Sequence, residues 1–164
     1  MKWLLFIALL FPAVSLRAQV GRGETGFMIF TQAGNAGTVC GPTFSCTPFQ
    51  ATALRGEQTM LVVRGVKDRP FVVMVGLPQQ AMCLTVPGIH NSLVFPPILF
   101  PFAGTLTQPD RILACPGGLE QMPLTIPLEL PAGASFLMQA IAWSFLIPPG
   151  EMPTFTAAIQ VGVR

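Results

Sequence analysis

Thr59-Met60-Leu61-Val62-Val63-Arg64-Gly65 and Phe71-Val72-Val73-Met74-Val75-Gly76, joined by Val66-Lys67-Asp68-Arg69-Pro70, decide the fold class. Both runs are short, apolar and rich in β-branched residues, and the polar link between them ends in Arg-Pro. That is the signature of two strands and a turn, most simply a hairpin. Arg64, Lys67, Asp68 and Arg69 place four charges within six positions. A solvated hairpin tip accounts for them better than a recognition patch does. The strands do not alternate apolar with polar residues. Strands of this kind are covered on both faces, or have an outer face that meets something else.

Outward from this pair, the same pattern predicts strands over Phe27–Gln32, Met82–Val86, Ser92–Phe95, Ile112–Ala114, Met122–Leu130, Ser135–Phe145 and Phe155–Val163. No amphipathic helix is present to cover a sheet. Two packed antiparallel sheets of about eight to nine strands, Ig-like or jelly-roll-like, are then the economical architecture. The reading divides the chain into a leader (1–18), a lead-in that contributes a first strand (19–38) and a β-sandwich (39–164). Gln19–Gly26 and Gly34–Gly37 read as flexible.

The leader reading rests on Met1-Lys2, an apolar stretch from Trp3 to Val14 broken at Pro12, and small residues at Ala13, Ser15 and Ala18. A charged start, a short apolar core and small residues at a cleavage site describe a signal peptide. Twelve helical residues rise about 18 Å, too little for a hydrocarbon core of about 30 Å. Cleavage is expected after Ala18 or after Ser15. The whole chain has 9 basic and 7 acidic side chains. Losing residues 1–18 removes Lys2 and Arg17, and the charge falls to zero. No case for nucleic acid or another polyanion survives this loss.

The mean hydropathy is +0.61 and only 10% of residues are charged, against about 25% in a typical chain. No Asp, Glu, Lys or Arg occurs from Pro70 to Pro109 or from Leu130 to Gly150. Prolines interrupt both stretches too often for an uninterrupted spanning helix of about 20 residues. No transmembrane anchor is expected once the leader is gone.

Cys40, Cys46, Cys83 and Cys115 all lie beyond the leader. An even count in an exported chain reads as two disulfides with three connectivities. Proximity favours Cys40–Cys46 with Cys83–Cys115. A zinc site would need paired Cys-x-x-Cys spacings or histidine partners, and His90 is the only histidine. No metal or other cofactor is expected.

Catalytic patterns are lacking. Gly21-Arg22-Gly23-Glu24-Thr25-Gly26 matches the dinucleotide fingerprint in letters, but no strand precedes it and no helix follows. His90 lies in the turn-like Gly88-Ile89-His90-Asn91-Ser92, with no nucleophile-elbow pattern around Ser92. The seven acidic residues stand singly, so no glycosidase pair is suggested. Trp143, the one tryptophan beyond the leader, is the candidate ligand platform, with Gln139 beside it. Alternation puts Leu137, Gln139, Ile141, Trp143 and Phe145 on one strand face, and Phe136, Met138, Ala140, Ala142 and Ser144 on the other. Both faces are largely apolar, which favours Trp143 in the core over Trp143 as a platform.

Three C-terminal runs carry a resemblance: Pro123-Leu124-Thr125-Ile126-Pro127, Leu130–Ala140, and Thr156-Ala157-Ala158-Ile159-Gln160-Val161-Gly162-Val163. The order resembles the C-terminal β-sandwich modules of secreted and cell-surface bacterial proteins. Their pattern runs from an "lpiP" strand, through Gly-aromatic-x-x-Gln-Ala, to a closing "SNAl-x-v-x-v" strand. Cys83 and Cys40-Gly41-Pro42 match that pattern loosely. This chain departs from it around Trp143-Ser144, where an Asp is usual, and around Thr156-Ala157, where Ser-Asn is usual. The resemblance implies fold and export and carries no catalytic residue. The expectation is an exported structural or interaction module, not an enzyme, whose partner is another protein or a cell-surface component. The alternatives are a glycan-binding module using Trp143 and a small exported enzyme.

Overall fold

The computed structural model describes residues 25–41, 46–111, 115, 117–146 and 150–164. The leader and the Ile112–Ala114 strand expectation lie outside them. The described chain forms strands β1 (Gly26–Thr31), β2 (Gly34–Thr38), β3 (Phe49–Ala53), β4 (Gln58–Val66), β5 (Pro70–Gly76), β6 (Leu84–Thr85) and β7 (Ser92–Leu93). Then come β8 (Leu99–Thr105), β9 (Gln108–Pro109), β10 (Gly117–Thr125), β11 (Ser135–Leu146), β12 (Gly150–Phe155) and β13 (Ile159–Val163). A single 3-10 turn at Pro78–Gln80 is the one helical element among these residues. The fold is all-β, as expected.

One large sheet has the order β2-β1-β4-β10-β9 and the second β3-β13-β11-β5-β8, with β12 also paired to β11, while β6 and β7 form a separate two-stranded sheet. All pairings are antiparallel except β3 with β13. The predicted hairpin is corrected here. β4 pairs with β1 and β10, and β5 pairs with β11 and β8, so the two strands lie in different sheets. The turn between them is tight: Arg69 N–H donates to Val66 C=O at 3.3 Å, and Asp68 adopts φ 60°. The chain also crosses back between the sheets from β8 to β9, and Leu106 joins the two crossings. Asp68 N–H donates to Leu106 C=O at 2.9 Å, and Leu106 N–H donates to Arg69 C=O at 3.0 Å. The Leu106 side chain is fully buried.

This arrangement buries β4 against the opposite sheet and gives β5 and β11 cover on both sides. Leu61, Val63, Val73, Met138, Ala140 and Ala142 belong to the main core, which draws on both sheets. A second cluster lies on the other face of β5 and β11, where Met74 and Leu137 pack with Val94, Phe95, Phe155 and Ala158. The excursion from Leu77 to Ile98, with β6 and β7, supplies much of that cover. At Gly65, β4 passes close against β11. A Cβ there would lie 2.7 Å from the Trp143 carbonyl oxygen and 3.2 Å from Ala142 Cβ.

The flexible reading of Gly34–Gly37 is also corrected, because those residues form β2 and pair with β1 throughout. Main-chain pairing needs no side-chain pattern. A Cβ at Gly37 would overlap the Phe27 carbonyl oxygen, so this edge strand needs glycine.

Both disulfides form, with connectivity Cys40–Cys115 and Cys46–Cys83, which corrects the pairing by proximity. Register explains the first bond. Phe27 faces Thr38 and Gly117 faces Val66, so the end of β2 and the start of β10 meet at one end of their sheet. The bonds span 75 and 37 residues. In the chain-entropy account, loops of that size contribute about 4 kcal/mol each. Two disulfides belong to an oxidising, extracytoplasmic compartment. Among the described residues, no helix is long and apolar enough to cross a membrane.

Non-reducing digestion checks this connectivity. It joins the peptide containing Cys40 to that containing Cys115, and Cys46 to Cys83. A Cys40–Cys46 peptide would contradict the fold.

Candidate functional site

The residues singled out in the sequence are placed by β11. Leu137, Gln139, Ile141 and Trp143 share a face, but it is the face turned away from the main core. Gln139 lies at its centre, 1% exposed. Its Oε1 accepts from Val94 N–H at 3.0 Å, and its Nε2 donates to Ser92 C=O at 3.0 Å and Thr156 C=O at 2.8 Å. The amide pins the Leu77–Ile98 excursion to the sheet and has no surface to offer a ligand. Thr156 Oγ1 continues the polar seam by accepting from Ala140 N–H at 2.9 Å.

Trp143 lies beyond the edge of this cover. It is half-buried, outside the main core, with the Arg69 guanidinium carbon 5.5 Å from its ring centroid. Arg69 also pairs with Glu151 at 2.5 Å. The charged cluster therefore divides. Lys67, Asp68 and Arg69 are exposed, as a solvated tip requires, with the Arg69 side chain lying across the tryptophan, whereas Arg64 is half-buried and pairs with Asp110 at 2.8 Å, the Asp110 side chain being only 3% exposed. An indole face already holding a guanidinium is a poor sugar platform.

The remaining reactive groups have structural posts. His90 N–H donates to Pro153 C=O, and Phe155 N–H donates to His90 C=O, binding that loop to β12. The buried Glu57 carboxylate accepts from the N–H groups of Gln32 and Leu54, holding together the turns after β1 and β3. Cys40, Asp110 and Cys115 bring three ligand-type atoms within 4.8 Å of one another. The two sulfurs are already joined as a disulfide, and Asp110 faces Arg64.

The feature that stands out lies on the opposite side of the sandwich, between the edge of β10 and the edge of β8. An open cleft of about 300 Å³ is lined by Val75, Leu99, Pro101, Leu124, Ile126, Phe136 and Met138, with Leu77 and Ile98 at its rim. Every lining residue is apolar or glycine. Leu77, Ile98 and Leu99 are 42, 52 and 60% exposed. A second, separate recess of about 360 Å³ lies between β8 and β10, lined by Phe102, Gly104, Met122, Thr107 and Glu120. There Thr107 Oγ1 donates to a Glu120 carboxylate oxygen at 3.2 Å.

The cleft exists because the first sheet stops short. β10 pairs with β4 along all of Gly117–Thr125, but β9 meets only Gly118 and Leu119. From Gln121 onward no described strand flanks β10 on its outer side. Sequence reasoning missed these residues, although the uncharged run from Pro70 to Pro109 contains the rim. Nothing in that run reveals which of its apolar residues stay uncovered.

The chain matches no family model and no curated protein sequence.

The Arg69 contact gives a direct optical prediction. Trp3 is the one other tryptophan, so in a chain lacking residues 1–18 Arg69→Ala uncovers the Trp143 indole, shifts its emission to the red and increases its quenching by iodide. The cost in stability is about 1 kcal/mol or less, as for a half-exposed ion pair with a cation–π contact. Unchanged emission would show that Arg69 does not cover the ring.

Proposed function

We propose that this protein is an exported structural or interaction module, without catalytic activity, that engages another protein or a cell-surface component through the cleft between β8 and β10. The supporting observation is the cleft itself: an all-apolar floor continuous with the main core, rimmed by three exposed aliphatic side chains. Single exposed apolar residues are ordinary, but a contiguous set around a concave surface is the usual mark of a binding site. The disulfides and the leader-like start agree with export. Glu57, Asp110, Glu120 and Glu151 all hold structural partners, which is why these carboxylates support binding architecture better than acid–base chemistry.

Exposed rim positions tolerate substitution, so the reading can be tested without unfolding the protein. Ile98→Asp with Leu99→Asp should change the melting temperature little. It should reduce binding of an apolar fluorescent dye at least fivefold and reduce retention on the producing cell's surface in parallel. Equal dye binding and retention by the double variant would place the interaction surface elsewhere.

A further inference from the structure

Resting on that reading, we infer that the slot beside β10 receives an extended segment of a partner polypeptide, added edge-on as a strand with apolar side chains at alternate positions. Two features meet there. The first is the apolar cleft. The second is the direction of the β10 main chain. Ile126 N–H donates to Glu57 C=O and Gly56 N–H donates to Ile126 C=O, so Ile126 turns both of its groups toward β4. Antiparallel strands alternate in this respect. Gln121, Pro123 and Thr125 accordingly turn their main-chain groups toward the open side. Asp110 N–H donating to Gly117 C=O on that side fixes the same phase. The inward side chains Met122 and Leu124 lie beneath the slot.

A strand laid there satisfies both features. Its main chain pairs with Gln121 and Thr125, and its inward side chains enter the cleft, which is how edge addition divides affinity from specificity. Pro123 lacks an N–H, so an incoming strand finds one donor missing at a fixed position, which restricts its register. Pro101 thins the donors of β8 in the same way, and prolines on open edges curb indiscriminate pairing.

Other occupants fit less well. A hydrocarbon chain would fill the cleft but cover the edge groups without pairing them, which costs free energy. A second copy docking as a folded body needs about 800 Å² per partner, more than a rim of three aliphatic side chains offers. The chain's own Gln19–Thr25 reads Gln-Val-Gly-Arg-Gly-Glu-Thr and presents no run of alternating apolar residues.

The experiment titrates the full mature protein with a synthetic peptide alternating threonine and valine, capped by lysines, and follows residue-resolved amide spectra. The expected result is saturable binding with shifts concentrated at Gln121, Leu124 and Thr125. Methylating the peptide nitrogens on its pairing edge should weaken binding at least tenfold. Sodium dodecanoate and the protein alone at rising concentration are the comparison arms. Equal binding of the methylated peptide would overturn the inference, as would saturation of the cleft by dodecanoate alone or dimerisation that covers Gln121 and Thr125. In each of those outcomes the cleft is still occupied and the interaction reading survives. If no probe perturbs the cleft, both fail.

Discussion

The requirement that two consecutive, continuously apolar strands both be buried governs this molecule. β4 and β5 are adjacent in sequence and carry almost no polar side chain between their ends. Paired as an isolated hairpin, they would leave one apolar face in water, at roughly 25 cal/mol per Å². Placing them in opposite sheets removes the difficulty. Each becomes an inner strand with a neighbour on either side, and the Val66–Arg69 turn becomes the corner of a sandwich. Leu106 sits at this corner and ties the second crossing to the first. The outer face of β5 and β11 then needs its own cover, which explains the long excursion between β5 and β8.

The same constraint explains how so few charges suffice. Polar groups are used where a loop must be fixed to a sheet. Gln139 holds the excursion, Glu57 joins two turns and Thr156 closes the approach to β13. Truncating such a group leaves several main-chain groups unsatisfied, at about 1–3 kcal/mol each. The shortage of charge is therefore concentrated on the two apolar faces and the open side, and that side is where binding is proposed.

Much of the strand pattern was legible in the sequence. β1, β4, β5 and β11 lie within two residues of their expected limits, because each is a dense run of β-branched or aromatic residues. β2 (Gly-Asn-Ala-Gly-Thr), β3 (Phe-Gln-Ala-Thr-Ala) and β8 (Leu-Phe-Pro-Phe-Ala-Gly-Thr) escaped because edge strands are held by main-chain pairing and tolerate glycine and proline. Sheet membership was not legible, since the same turn residues serve a hairpin or a corner. The disulfide pairing depended on that membership and was misread with it. The faces of β11 were separated correctly by alternation, yet alternation cannot say which face meets the second sheet. Trp143 and Gln139 consequently changed roles, the one lying under Arg69 and the other buried as a structural clamp.

The claim that β10 is an inner strand on one side and an open edge on the other is the hinge between fold and function. Residue-resolved amide exchange of the free protein tests it most directly. Met122, Leu124 and Ile126 should exchange slowly, being bonded toward β4. Gln121 and Thr125 should exchange at least about tenfold faster, because backbone groups facing solvent need no opening of the sheet. Equal, strong protection of all five amides would contradict the account, since it would mean that the edge is already covered.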